Sequence, residues 1–207
     1  MTLNSIIYIL FHLLVPALDT FSNTLAVAGD PDIIYDFASP QNYSVNGSFF
    51  TYTDLRGVLD QIPLSFKATK VTLVEFPALN GQSISYAIFQ YPGGSINPPH
   101  IHPRAAELLF LVSGSLQVGF VDTKRTLYTQ NLKPGDVFIF PKGLIHYQYN
   151  PQSVSATAIS AFGSANAGTV SIPLSIFSTG IDDVILAKAF KTDTYTVKKI
   201  RSGLNKS

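Results

Sequence analysis

Between Leu64 and Thr169 the chain alternates apolar and polar positions in short runs, each closed by Gly, Pro or Asn. Leu116, Val118 and Phe120 interleave with Ser115, Gln117 and Gly119, the period of two that places one strand face against a core and the other toward water. Runs over 71–76, 83–91, 107–112, 115–122, 136–140 and 153–162 are rich in β-branched or aromatic residues and read as strands. Leu108 to Val112 is apolar at every position, which suits a strand covered on both faces. Many short strands separated by turns predict an all-β domain, a sandwich or small antiparallel barrel.

The pattern changes at both ends. Residues 29–62 are broken every few positions by Pro31, Pro40, Asn46-Gly47 and Gly57, and read as an extension lying over the barrel of 63–170. In 171–207 the spacing becomes helical: Ile181, Val184, Ile185 and Ala189 form one stripe, and Val197, Ile200 and Leu204 a second. Thr192 or Thr194 is placed to cap the second helix. Two short helices cannot each bury a stripe alone, so they must pack on the barrel or on another subunit.

The apolar stretch from Ile6 to Leu18 is too short to span a bilayer, and Ala26-Val27-Ala28 follows it. Residues 1–28 therefore read as a secretory signal peptide, although no Lys or Arg precedes the apolar run. Asn42-Tyr43-Ser44, Asn46-Gly47-Ser48 and Asn205-Lys206-Ser207 are acceptor triplets for glycans in such a compartment. A formal net charge of +1 gives no basic surplus for gripping a phosphate backbone, so nucleic acid is not an expected partner. The chain has no cysteine, which removes thiolate metal sites, disulfides and cysteine nucleophiles. Any metal must then be held by imidazole, carboxylate or backbone oxygen.

Three of the four histidines fall in two short segments. His100 and His102 are two apart, so on an extended strand both imidazoles leave the same face. Glu107 lies at an odd offset from His102, so Pro103-Arg104 must turn the chain for the carboxylate to join them. His146 follows the turn Pro141-Lys142-Gly143 and offers a third imidazole. Three neutral nitrogens and one carboxylate suit a first-row divalent ion, and with a 2+ ion the set sums to about one positive charge, which attracts small anions. Intrinsic affinity alone would favour copper, nickel or zinc over manganese.

These segments, Pro92-Gly-Gly-Ser-Ile-Asn-Pro-Pro-His-Ile-His-Pro-Arg104 and Pro134-Gly-Asp-Val-Phe-Ile-Phe-Pro-Lys-Gly-Leu-Ile-His146, match the two cupin motifs. With Gly29-Asp30-Pro31-Asp32, Asp36-Phe37 and Ile185-Leu-Ala-Lys-Ala-Phe190, nearly the whole chain resembles the plant germin-like proteins. The resemblance implies a cupin jelly-roll β-barrel with short C-terminal helices, secretion to the apoplast and cell wall, and assembly as a homohexamer, a trimer of dimers. It also implies manganese held by His100, His102, Glu107 and His146. Germins usually carry a disulfide after an Asp-Phe motif; here Ala38 occupies the first position and the second falls near Phe49 or Phe50, so apolar packing must replace the crosslink.

Oxalate-oxidising germins resemble one another in two asparagines above the metal. Asn97 matches one, and Tyr86 stands at the other if the strand aligns without gaps, which makes oxalate oxidation doubtful. Asn97 and Tyr86 are the residues expected to meet a substrate. Superoxide dismutation, with a role in defence or stress, is the leading expectation. Two alternatives stand beside it. One is oxidation or isomerisation of a larger phenolic or terpenoid compound; the other is a metal-stabilised wall or receptor-like binding protein with no catalysis.

Overall fold

The computed structural model describes residue 30, residues 33–39 and residues 45–204. The signal-peptide reading of 1–28 and the glycan acceptors Asn42 and Asn205 lie outside the described residues.

Among the described residues, ten strands form two five-stranded antiparallel sheets. The first has the order β1 (Lys67–Val71), β2 (Ser85–Tyr91), β9 (Ala156–Phe162), β4 (Glu107–Ser113), β7 (Val137–Phe140). The second runs β10 (Val170–Ser171), β3 (Ile96–Ile101), β8 (Ile145–Tyr149), β5 (Leu116–Val121), β6 (Leu127–Leu132). Neighbours in the sheets are mostly distant in sequence, and the chain is all-β with a few short helices: a jelly roll.

The core is the space between the inward faces. β9 shows the pattern that builds it: Ala156, Ala158, Ser160 and Phe162 are buried while Thr157, Ile159 and Ala161 are half-buried. Leu109 and Leu111 from β4, Leu116 and Val118 from β5, and Phe140 from β7 complete it, each essentially removed from solvent. The hairpin joining β4 to β5 needs glycine at 114. Its φ is 82°, and a Cβ there would stand 2.6 Å from the Ala156 backbone.

Two expectations are adjusted, and β3 lies outside the expected runs. The first strand covers 67–71 rather than 71–76, because Thr72 closes a turn by donating to Glu75 and Pro77 then opens a single 3-10 turn. β3 forms through Pro98-Pro99, a pair that lacks amide donors; the ladder to β8 shifts register between Asn97 and His100 to accommodate it. In β4 only alternate residues are covered. Leu108, Phe110 and Val112 are 38–47% exposed, and Val137 and Ile139 on β7 extend the same apolar outer face.

Among the described residues three helices follow the barrel: α1 (Ile172–Phe177), α2 (Asp183–Ala189) and α3 (Thr194–Leu204). Asp182 caps α2 by accepting from the Val184 amide, and Asp193 accepts from the Thr196 amide at the start of α3. Their shared core is Leu186, Ala187 and Val197, whereas Ile181, Val184 and Ile185 of the expected stripe face outward. Within the extension, Phe37 meets Phe50 edge to face at 5.1 Å between centroids, and Phe50 meets Phe49 at 5.0 Å. Ring packing thus joins the two segments that a disulfide would link. No helix among the described residues is long and apolar enough to cross a membrane.

Candidate metal centre

The two sheets deliver the four expected ligands to one buried point. His100 on β3 lies directly across from His146 on β8, with ring centroids 4.1 Å apart. His102 sits one residue past the end of β3, where the chain turns through Pro103-Arg104 and crosses to the other sheet. Glu107, the first residue of β4, points back from that sheet at the imidazoles. The turn required by the odd offset between His102 and Glu107 is present. One donor atom from each of the four residues lies within 4.8 Å of the others, and all four residues are buried.

Each imidazole is oriented by a backbone carbonyl. His100 Nδ1 pairs with the Pro98 carbonyl at 2.8 Å, His146 Nδ1 with that of Leu144 at 2.8 Å, and His102 Nδ1 with that of Gly168. A carbonyl can only accept, so each Nδ1 carries the proton and each Nε2 presents a lone pair. The Nε2 atoms of His102 and His146 lie 3.0 and 3.2 Å from Glu107 Oε2. Lone pairs facing a carboxylate at this distance repel unless a cation stands among them. Donors about 2.1 Å from one centre are at most about 4.2 Å apart, so the four atoms close on a divalent ion with shifts under about 1 Å. The residues fit the ion they are expected to hold.

Packing and hydrogen bonds fix the set. The Phe140 ring stacks on His146 at 4.6 Å, and Phe162 meets His102 edge-on at 4.8 Å. Glu107 Oε1 accepts from Ser160 Oγ at 2.7 Å and from Gln148 Nε2 at 3.4 Å, and Gln148 Oε1 accepts from Asn97 Nδ2 at 2.7 Å. Arg104 donates to the carbonyl and side-chain oxygens of Asn166, holding the loop whose Gly168 carbonyl orients His102. Burial raises the Glu107 carboxyl, but where protons on the His102 and His146 Nε2 atoms stand in for the ion, their hydrogen bonds and charge outweigh it and hold the pKa at about 2. Burial, then the neighbouring His146, lowers His100 to about 4, so its imidazole is neutral across the physiological range.

A cavity of about 170 Å³ opens beside His100 and His102, walled by Phe66, Phe89 and Phe162. Asn97 lines it. Tyr86 edges it as well, but strand alternation puts Ser85, Ala87 and Phe89 on the face turned to the cavity. Tyr86 belongs to the opposite face and also borders an apolar depression with Tyr52, Leu55 and Phe76. Of its two neighbours on the strand, Ser85 lines the cavity and Ala87 is buried in the core. Gln148 and Ser160 escaped the sequence reading. Gln148 had a signal, since it follows His146 by two on a strand; Ser160 depends on a cross-strand register that spacing does not reveal.

Comparison with known proteins agrees with this geometry. Residues 62–198 match the cupin family model. The chain is 53% identical to "Germin-like protein 9-3" of Oryza sativa subsp. japonica, over 87% of this chain and 88% of that protein. The chain belongs to the germin-like proteins. "Putative germin-like protein 9-2" of the same plant is 50% identical, over 97% of this chain and 94% of the relative. Among solved structures, an oxalate oxidase superposes with a TM-score of 0.74 at 30% identity, over 84% of this chain and 97% of that one. An oxalate oxidase in complex with the substrate analogue glycolate gives the same TM-score at 28% identity.

Proposed function

We propose that this germin-like protein is a secreted manganese protein of the apoplast and cell wall whose buried centre carries redox chemistry on a small anion, superoxide being the leading substrate. One observation carries the reading: three Nε2 lone pairs and one carboxylate converge beside a cavity wide enough to admit a small molecule. Manganese would supply one-electron exchange between two oxidation states. His100, His102, Glu107 and His146 would hold it, with a net positive charge that draws anions.

The protein's own groups do the rest. The carbonyls of Pro98, Leu144 and Gly168 keep each Nε2 aimed inward. Ser160 and Gln148 hydrogen-bond Glu107 Oε1 and fix the carboxylate with Oε2 toward the imidazoles. Phe140 and Phe162 exclude water from the imidazole faces. Asn97, bonded through Gln148 to Glu107, couples the cavity wall to the carboxylate, and Tyr86 stands at the rim. Dismutation consumes two protons for each pair of superoxide ions, and the open cavity supplies them from solvent. The apolar outer face of β4 and β7 and the outward residues Val184 and Ile185 support burial against further copies in a homohexamer. Cleavage after residue 28 and glycans at the acceptor asparagines complete the secreted form.

Purified protein with its ion loaded should consume superoxide catalytically, and His146→Ala should abolish both metal retention and activity. Full manganese occupancy without catalysed superoxide loss removes the proposal.

A further inference from the structure

The cavity has a second polar end that the metal does not use. Across the first sheet Glu107 pairs with Phe162, and Phe162 pairs with Ser85. Ser85 thus lies two strands from Glu107 on the same face, about 10 Å away at ordinary strand spacing, with the Phe162 ring between them. Its hydroxyl is buried, lines the cavity and has no hydrogen-bond partner in the protein, although the residue is only 1% exposed. A buried hydroxyl without a partner is costly unless something outside the chain completes it.

The adjoining strand brings complementary groups to the same place. Phe66, Ala68, Lys70 and Thr72 alternate along one face of the β1 segment and line the cavity in that order, apolar first and polar last. Lys70 pairs with Ala87, and Thr72 lies one residue beyond the pairing of Val71 with Tyr86, which sets both beside Ser85. The Lys70 ammonium donates to Thr169 Oγ1 at 3.0 Å on the opposite rim. Thr72 donates to Glu75, and that carboxylate does not line the cavity.

We infer that Ser85 and Lys70 form a distal carboxylate subsite, so that the cavity takes a dicarboxylate with a flat apolar spacer, one end toward the metal centre and the other at this corner. The inference rests on the metal-centre reading and adds to the small anion a second, larger class of ligand for the same cavity. The spacer is set by Phe66, Phe89 and Phe162 and by volume: a cavity of about 150 Å³ accepts a benzene ring, and this one measures about 170 Å³. A two-carbon diacid is short against the two strand spacings, about 10 Å, that separate Glu107 from Ser85. Ser85 and Lys70 are then residues that determine specificity.

Calorimetric titration of the manganese-loaded protein with terephthalate, benzoate and oxalate tests this. Terephthalate should bind about tenfold tighter than benzoate. Ser85→Ala and Lys70→Met should each remove most of that advantage while leaving benzoate affinity unchanged. Ser85→Ala should also melt no lower than the parent without ligand, because it removes an unsatisfied hydroxyl. Equal affinities for terephthalate and benzoate, or variants that bind terephthalate as tightly as the parent, overturn the subsite. In those cases benzoate binding and full metal content leave the metal-centre reading standing. Protein that takes up no ion overturns both.

Discussion

His100 gives the account its sharpest quantitative consequence. The imidazole is 2% exposed, with its Nδ1 bonded to the Pro98 carbonyl and its ring against His146. Burial first, and His146 second, hold its pKa at about 4 against an ordinary value of 6.5. In metal-free protein the unfolded chain therefore takes up a proton below pH 6.5 that the folded chain refuses until about pH 4. Stability from this group is complete above pH 6.5 and falls as the pH drops through that window, by about 3 kcal/mol at roughly 1.4 kcal/mol per pH unit. That is a large share of the roughly 5–15 kcal/mol typical of a domain. Glu107, held at about 2 against 4.5, adds a separate loss that begins only below pH 4.5. Urea unfolding of metal-free protein at pH 7, 6, 5 and 4, at one fixed protein concentration, measures the slope. His100→Gln should flatten it by most of the 3 kcal/mol between pH 7 and 4. Identical slopes in parent and variant would refute the claim that a buried neutral imidazole sits at this position.

Other outcomes follow from the same contacts. Glu107→Gln keeps the shape and removes the charge that balances the ion, and metal affinity measured by competition with a chelator should fall by about a hundredfold or more. Ser160→Ala deletes a 2.7 Å hydrogen bond to that carboxylate; metal affinity should fall about tenfold, and metal-free stability by about 1–3 kcal/mol. Gly168→Ala puts a Cβ 2.7 Å from the Arg104 guanidinium at a φ of 69°, so the loop must shift and take the His102 carbonyl partner with it. Its melting temperature and its metal retention should drop together, whereas Gly94→Ala, with open space around its Cβ, should lose melting temperature without losing metal.

What could be read from the sequence is what depends on local spacing. The two-residue interval of His100 and His102, the need for a turn before Glu107, and the Pro-x-Gly turn ahead of His146 are all one-dimensional facts, and the structure realises each. The resemblance to germin-like proteins supplied the jelly roll that brings them together. Less was visible where tertiary pairing overrides local signal. β3 forms through two prolines because β8 accepts a register shift, and β6 carries mostly exposed polar residues with little apolar pattern. Which face of its strand Tyr86 occupies could not be read along the chain, since one residue of slip exchanges the two faces. In the helical tail the apolar stripe of Val184 and Ile185 looked like core, yet Leu186 and Ala187 pack inward because α3 lies on their side.

The most direct test is the metal content of protein recovered from its native compartment, read with manganese electron paramagnetic resonance on the same sample. The account predicts one manganese ion per chain, lost on His102→Ala or His146→Ala. A chain that folds, assembles and carries no ion, or whose ion survives both substitutions, would contradict it.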